Sequence, residues 1–512
     1  VSSSDLVKSL TLYQRQNFRI KPASSFGMAG FSLSLGTKKS VLASYRRKAM
    51  KNKEKDMKLH KLLLTLGLVL SIALSACTPV VTDPVDLPDP DQSEEPIVDK
   101  EPIQDKYPVE VEPIIDPSQV TIGNQVHITN PEAKLEDIEK LAQANNQFAL
   151  ALYKQLTDEQ GNLIYSPFSI YQALMMTYAG AESETAQQMM AALGVKEIED
   201  VHNVMNALNL TLQDPTTMDV PGVQRLIFNI ANALWVQKDF HFEQSFLDKL
   251  SANYAAGVRL VDFNYPQDVQ KLINHWVAFE TNDKIKDIIP DGMLTEMTRL
   301  VLSNAVYFKG AWNNRFDAKD TAKAPFTLMD GTTIDVDMMA ASMQTAGIMN
   351  DDFSAVVLPY EGGNFAMALV MPKDFEAYQK ALDAEVLSKL FADLSMSHAM
   401  VHLKMPKFKT ETTFDLGKIL NGMGMGDAFD KDKADFSGMT GEKDLYISDV
   451  IHKAFIDVNE EGTEAAAATI VGMSTTGMPA EELTINLDNP FIYMIYNTQT
   501  NAIVFMGQVV NP

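Results

Sequence analysis

Apolar residues recur every three to four positions along 135–156, with Leu141, Ala144, Phe148, Leu152 and Leu156 on one face. That spacing predicts an amphipathic helix. Gly161-Asn162-Leu163-Ile164-Tyr165 reads as a short strand. Ser166-Pro167 then supplies a capping hydroxyl and a proline suited to the first helical turn, predicting a small-residue helix over 168–179. Further helices are predicted over 184–193, closed by Gly194, and over 195–212. After a polar loop, 226–236 mixes Ile, Phe, Leu and Trp with Asn229 and Asn232 and reads as a buried strand. The stripe Leu272, Trp276, Phe279 and Ile285 predicts a helix over 268–289. The run 300–308, apolar except for Ser303 and Asn304, predicts a central strand.

From Phe326 the pattern shortens. Strands are predicted over 335–339, 344–349, 354–359 and 365–371, followed by a short helix over 375–382. Later strands fall at 402–409, 445–458, 484–487, 491–497 and 502–507, and a helix over 415–421 runs into a glycine-rich turn, Gly422-Met423-Gly424-Met425-Gly426. Helices come mostly first and strands mostly last, without regular alternation. The fold class is therefore α+β rather than doubly wound.

Composition divides the 512 residues into four parts. Residues 1–56 carry twelve Lys or Arg against three acids, a net charge near +9. They read either as a basic tail or as sequence upstream of the true start, and the residues after Met57 favour the second. Lys58, His60 and Lys61 precede an apolar run to Leu74 and then Leu74-Ser75-Ala76-Cys77, the layout of an export signal over 57–76. Its ending resembles the bacterial lipoprotein box, which implies that Cys77 is lipidated. The alternative is an uncleaved anchor with a chance cysteine. Either places the rest outside the cytoplasmic membrane, the first lipid-anchored at the cell surface or in the periplasm. Residues 78–118 hold nine Pro and twelve acids against two Lys, too polar to fold and stiffened by proline. We expect a tether over 77–134 and one globular domain over 135–512. Cys77 is the only cysteine, so no intrachain disulfide forms. A formal charge of −24 leaves no basic stripe for nucleic acid.

Ordinary catalytic chemistry is scarce. His398 and His402 are four apart, but their neighbourhood alternates like a strand and no Cys or acidic partner stands at ligand spacing, so no metal site is expected. Ser166 and Ser303 lack a nucleophile-elbow setting, and the Gly422–Gly426 run lacks the lysine of a phosphate loop. The chain is read as a non-enzyme without cofactor. Asn162, Ser169, Asn304 and His452 lie in apolar strands or at a helix start. Singly each reads as a satisfied structural group. Together they would form a buried hydrogen-bonded latch, costly to break.

The most telling run is Glu460-Glu461-Gly462-Thr463-Glu464-Ala465-Ala466-Ala467-Ala468-Thr469. Except for Glu464, every side chain from Gly462 to Thr469 is small, so the segment can leave one environment and enter another without steric penalty. With Asn-Leu-Ile-Tyr-Ser-Pro-Phe-Ser-Ile at 162–170, Leu-Ser-Asn-Ala-Val-Tyr-Phe-Lys-Gly-Ala-Trp at 302–312, Asn489-Pro490-Phe491 and the closing Phe505-Met506-Gly507-Gln508-Val509-Val510-Asn511-Pro512, the chain from about 140 onwards resembles a serpin, a suicide-type serine-protease inhibitor.

That resemblance implies three β-sheets, eight or nine helices and an exposed reactive loop. It places a shutter, which controls opening of the central sheet, on Ser166, Pro167, Ser169, Asn304 and His452, to which we add Asn162. It places a breach at Trp312 and a hinge on 460–469. A protease would attack the loop, form an acyl-enzyme and be trapped as the cut loop enters the sheet. Side chains alternate across an inserted strand. Thr463, Ala465, Ala467, Thr469, Val471 and Met473 would share the buried face, and Glu464, Ala466, Ala468, Ile470, Gly472 and Ser474 the other. No Pro occurs between Gly462 and Thr476, so no ladder donor is missing. The family's spacing puts the reactive bond at Thr476-Gly477, with Thr475-Thr476 and Met473-Ser474 as alternatives. The neighbourhood lacks Arg, Lys and aromatic residues, which favours an elastase-like or subtilisin-like target. A papain-like cysteine protease, or a non-inhibitory role as substrate or binding module, stands as the alternative. A monomer is expected.

Overall fold

The computed structural model describes residues 120–157, 161–213, 226–463 and 481–512. The chain divides into two units, 1–105 and 106–512, and all described residues belong to the second. The signal at 57–76 and Cys77 therefore lie outside the described residues.

The folded region begins earlier than the composition suggested. Val120–Thr121 (β1) already pairs with the body, so residues 120–134 are structured and the boundary expected at 135 moves upstream. The stripe starting at Leu141 forms α1, Leu135–Leu156, and a three-residue strand comes next, Leu163–Tyr165 (β2). Ser166 caps α2, Pro167–Tyr178, its Oγ accepting from the Ser169 amide at 3.3 Å. Then come α3 (Ser183–Ala192), α4 (Val201–Leu212), β3 (Ile227–Gln237), α5 (Gln244–Tyr254), β4 (Val258–Val261), α6 (Pro266–Glu280) and β5 (Leu300–Ala311). Four strands and a short strand between them build the next stretch: β6 (Ala322–Thr327), β7 (Thr333–Thr345), β8 (Gly347–Met349), β9 (Phe353–Pro359) and β10 (Phe365–Pro372). Two helices, α7 (Phe375–Ala381) and α8 (Ala384–Met396), precede β11 (Ala399–Pro406), β12 (Phe408–Asp415), β13 (Asp449–Asn459), β14 (Gly462–Thr463), β15 (Glu481–Asn486), β16 (Phe491–Asn497) and β17 (Ile503–Val509).

Three sheets result among the described residues, as the resemblance implied. A seven-stranded sheet runs β1-β4-β3-β5-β14-β13-β12, a six-stranded one β2-β17-β16-β10-β9-β8 and a four-stranded one β15-β11-β7-β6. Among the described residues, eight helices have seven or more residues. An aromatic knot ties the first two sheets together: Phe308 meets Phe365 at 5.9 Å and Phe505 at 5.8 Å between ring centroids, and Phe228 meets Phe365 at 5.8 Å. On the opposite face of the seven-stranded sheet, α6 packs Val269, Ile273 and Trp276 against Trp235 of β3, Ala305 of β5 and Ile451 of β13. Any widening between β5 and β13 must therefore move under α6.

Several predicted bounds shift for local reasons. The helix predicted over 268–289 stops at Glu280 because Asn282 and Asp283 take positive φ, 51° and 60°. The helix predicted from 195 starts at Val201, after Asp200 at φ 47°. The strand predicted over 335–339 extends to a thirteen-residue strand, β7, the one predicted over 344–349 divides between the end of β7 and β8, and the prediction over 402–409 divides at Lys407 between two sheets. Helices α5 and α8 were not anticipated. The glycine run after Leu420 makes a five-residue turn, Asn421–Met425, with Gly424 at φ 101°.

Candidate functional site in the central sheet

Two parallel strands in the middle of the seven-stranded sheet are joined over only half their length. Asp449–Ala454 of β13 pairs with Val301–Val306 of β5. Beyond that the strands diverge. At the far end β14 is wedged between them, Thr463 opposite both Val458 and Gly310, Gly462 opposite both Asn459 and Ala311. Among the described residues no ladder pair links 307–309 to 455–457 across this opening. The sheet is closed below, forked above, and the first two small hinge residues already sit in the fork.

Gly462 is demanded by that seat. Its φ is 152°, and a Cβ there would lie 2.1 Å from the Gly310 carbonyl oxygen and 2.7 Å from the Ala311 Cα. Both neighbours are backbone and cannot rotate away. Gly462→Val is expected to unseat β14, costing about 1–3 kcal/mol by overpacking, with faster hydrogen exchange over 309–311 and 457–459 as the readout.

The turn before β14 is held by named bonds. The Phe316 amide donates to the Glu460 carbonyl at 3.0 Å and the Trp312 amide to the Glu461 carbonyl at 2.9 Å. Arg315 bridges Glu461 and Glu361, each at 2.9 Å. Lys407 meets Glu460 at 3.0 Å, and the Thr321 hydroxyl donates to the same carboxylate at 2.8 Å. Burial pushes the Glu460 carboxyl up, but a backbone amide, Thr321 and Lys407 outweigh it and hold the pKa below its ordinary value. Trp312, the expected breach residue, donates from Nε1 to the Asn459 carbonyl at 3.0 Å and stacks on Tyr360, centroids 4.6 Å apart. The Tyr360 hydroxyl, kept protonated by burial, lies 2.8 Å from Thr463 Oγ1. Thr463 is 1% exposed, so it points into the body.

Below the fork, Ser166, Ser169, Asn304 and His452 are fully buried and form one network. The Ser166 amide donates to His452 Nε2 at 3.0 Å. Because an amide can only donate, Nε2 carries no proton, and Nδ1–H donates to Asn304 Oδ1. Asn304 Nδ2 donates to Ser169 Oγ and to Asn232 Oδ1. Asn232 Nδ2 in turn reaches the Ser169 carbonyl at 3.0 Å and Gln172 Oε1 at 3.2 Å. Ser166 Oγ donates to the Val504 carbonyl of β17 at 2.7 Å, and Pro167 opens α2 beside it. The latch thus ties β13 to β5, β3, α2 and the second sheet.

Asn162 stands outside it. Its Oδ1 accepts from the Val510 and Asn511 amides at 2.8 and 3.0 Å and its Nδ2 donates to the Asn511 carbonyl. It fastens the C-terminal end of β17 instead, because β2 pairs with β17 and carries Asn162 to that strand's end. Asn232, Gln172, Tyr360, Arg315, Glu361 and Lys407 were missed. Only Asn232, an amide inside an apolar strand, announced itself in the sequence. Glu464, Ala465, Ala466, Ala467, Ala468 and Thr469 of the hinge, and Met473, Ser474, Thr475, Thr476 and Gly477 around the expected reactive bond, lie outside the described residues.

Burial holds the His452 pKa down at about 3. An unfolded histidine titrates near 6.5, so between these values the unfolded chain binds a proton that the folded chain does not. Stability therefore falls as pH drops through that window, on the order of 1 kcal/mol per pH unit for each such group. His202, buried against Tyr254 and held near 3 by the same cause, adds to the slope. Urea melts between pH 7 and 4.5 should show this, with His452→Gln shallower by about one proton.

The family profile described as "Serpin (serine protease inhibitor)" matches residues 143–512. Leukocyte elastase inhibitor A of Rattus norvegicus is 36% identical over 387 residues, covering 73% of this chain and all of that protein. An uncharacterized serpin-like protein of Thermococcus kodakarensis is 39% identical over 376 residues, covering 72% of this chain and 85% of its own length. Among solved structures, the thermophilic serpin tengpin in its native state superposes with TM-score 0.65 at 30% identity, over 77% of this chain and 98% of tengpin. With the profile spanning most of its length and relatives at 36–39% identity matched over 85–100% of theirs, this chain belongs to the serpin family.

Proposed function

We propose that this serpin is a suicide inhibitor of serine proteases, and the observation that carries the proposal is the seat of β14. Thr463 lies between Val458 and Gly310, and the register continues without slip into the paired half of the sheet. Counting on, Ala465 would enter between Ile456 and Phe308, and Ala467 between Ala454 and Val306. Ala454 and Val306 are already partners of each other, as are His452 and Asn304, between which Thr469 would arrive. The inserting hydroxyl thus reaches the latch as the His452–Asn304 bond is parted. The smallness of the hinge fits the face it would occupy, which holds Phe308, Tyr360 and the aromatic knot.

In that reading the protease's serine attacks the carbonyl of the reactive bond, expels the new amino terminus at Gly477 or a near neighbour, and is left as an ester on the residue before it. Insertion then carries the ester away before water completes the hydrolysis. The serpin contributes the bait and the sheet, and catalyses nothing. Thr476-Gly477 and its small neighbours fit shallow specificity pockets, and several relatives bear the name of elastase inhibitors; both support an elastase-like or subtilisin-like target. Incubation with an elastase, a subtilisin and trypsin, followed by denaturing electrophoresis and mass analysis of the released peptide, tests this. A covalent complex with the first or second is expected. Cleavage by all three with no complex would overturn the reading.

The segment 57–77 supports a further proposal, that the protein is a bacterial lipoprotein held by Cys77 on an acidic tether outside the cytoplasmic membrane. Cys77→Ala should move it from the membrane to the soluble exported fraction; retention on the membrane would reject the anchor.

A further inference from the structure

The short strand β4 covers only part of its neighbour. β3 pairs with β5 from Ile227 to Val236, but with β4 only from Leu234 to Gln237. Ala255, at φ 49°, closes α5 and turns the chain, which meets the edge of β3 only at Val258. Among the described residues no strand pairs with the earlier part of that edge. There, at Ile230, Ala231 and Asn232, it borders a cavity of about 520 Å³.

Arg259 of β4 lines this cavity. Its guanidinium carbon lies 4.6 Å from the ring centroid of Trp276 on α6 and 5.5 Å from that of Trp235 on β3. Both tryptophans are buried, and Trp235 is fixed in turn, its Nε1–H donating to Ser303 Oγ at 2.8 Å. The rings attract the cation without satisfying the five N–H donors of its planar fork. Among the described residues no hydrogen bond or ion pair reaches that fork. Burial pulls the Arg259 pKa down, and the Glu280 carboxylate acts the other way without pairing with it. The group keeps its charge, and donors withdrawn from water without an acceptor are costly.

The chemistry of the walls says what would satisfy it. A planar guanidinium matches the two oxygens of a carboxylate. Arg259 is the one Lys or Arg among the lining residues and Glu280 the one acid, so a single negative charge is favoured over several. Most of the remaining polar lining is neutral: Gln125, Gln172, Asn209 and Gln213 bring amides that both donate and accept. Such groups suit hydroxyls on the body of a ligand. The volume is in the range of small-molecule sites, roughly 300–1,000 Å³.

We propose that this cavity is a binding site for a small hydroxy-carboxylate, whose carboxylate pairs with Arg259 and whose hydroxyls meet the surrounding amides. The proposal does not rest on protease inhibition, and the site takes its ligand whether or not the reactive loop is cut.

The test is calorimetric titration of the full chain with sodium gluconate, set beside acetate, phosphate and chloride at equal ionic strength. Gluconate should bind saturably and more tightly than the other three. At a hundredfold excess over its Kd it should raise the melting temperature by about 3 °C. Arg259→Gln should weaken gluconate binding by about tenfold or more, and Arg259→Lys by less, since an ammonium keeps the charge but not the fork. Glu280→Gln should tighten it by roughly threefold through loss of a screened repulsion. If Arg259→Gln fails to fold, Arg259→Lys and Glu280→Gln decide the matter by moving affinity in opposite directions. No saturable binding of gluconate would overturn the site. Phosphate or chloride binding as tightly would overturn the carboxylate, and acetate binding as tightly would overturn the role of the amides. Affinity unchanged in the Arg259 variants would place the ligand elsewhere and overturn the assignment.

Discussion

Ala465→Arg should turn the inhibitor into a substrate. In the register set by β14, residue 465 enters between Phe308 and Ile456, facing the aromatic knot of Phe308, Tyr360 and Phe505. A guanidinium entering that apolar, aromatic face would leave water at a cost of several kcal/mol. Since about 1.4 kcal/mol is tenfold in a rate, insertion slows by tenfold or more and hydrolysis of the acyl-enzyme wins. The yield of SDS-stable complex should fall, by up to the same factor as hydrolysis overtakes insertion, while loop cleavage continues at its usual speed. Glu464→Arg is the control. Its side chain would project to the opposite face, beside Lys309 and Asp457, so complex formation should persist. If Ala465→Arg forms complex at the parental yield, the buried face has been misassigned.

Asn304→Ala should be the most damaging single change in the latch. The Asn304 side chain accepts from His452 Nδ1 and donates to Ser169 Oγ and Asn232 Oδ1. Truncation orphans a buried imidazole N–H and removes a donor from two buried oxygens. Each unsatisfied group costs about 1–3 kcal/mol, so a total of about 3–5 kcal/mol is expected. In addition, β5 and β13 lose their side-chain tie through His452 at the point where they must separate. The variant should melt several degrees lower and should convert spontaneously, without protease, into a heat-resistant or self-associated form on warming. A lower melting temperature without faster conversion would make the network a structural support only.

The sequence showed the frame of this site better than its fastenings. Local signals carried: the stripe of α1 and the Ser166-Pro167 start of α2 depend on residues close in the chain. The forked sheet does not. Nothing local says that Pro406 ends one sheet and Phe408 begins another, because the apolar alternation runs through both. Nor does the small run Ala340-Ala341-Ser342 reveal that β7 continues unbroken through it. Ser169, Asn304 and His452 stood out because a polar group in an apolar run needs partners. Asn162 stood out for the same reason and met different ones, since the partner is decided by a strand about 350 residues later. Tyr360, Arg315, Glu361 and Lys407 look like ordinary surface or core residues in sequence, and only the meeting of the segments that follow β5, β9, β11 and β13 gives them a role around Thr463.

The reactive loop of intact protein can be nicked with a non-target protease and the melting temperatures of cut and intact chains compared. Full insertion adds about a dozen backbone pairs at about 1 kcal/mol net each. A body of about 375 residues unfolds with an entropy near 0.8 kcal/mol/K, so the cut form should melt about 15 °C higher. Cut and intact chains melting within about 2 °C of each other would show that no free energy is stored in the fork between β5 and β13.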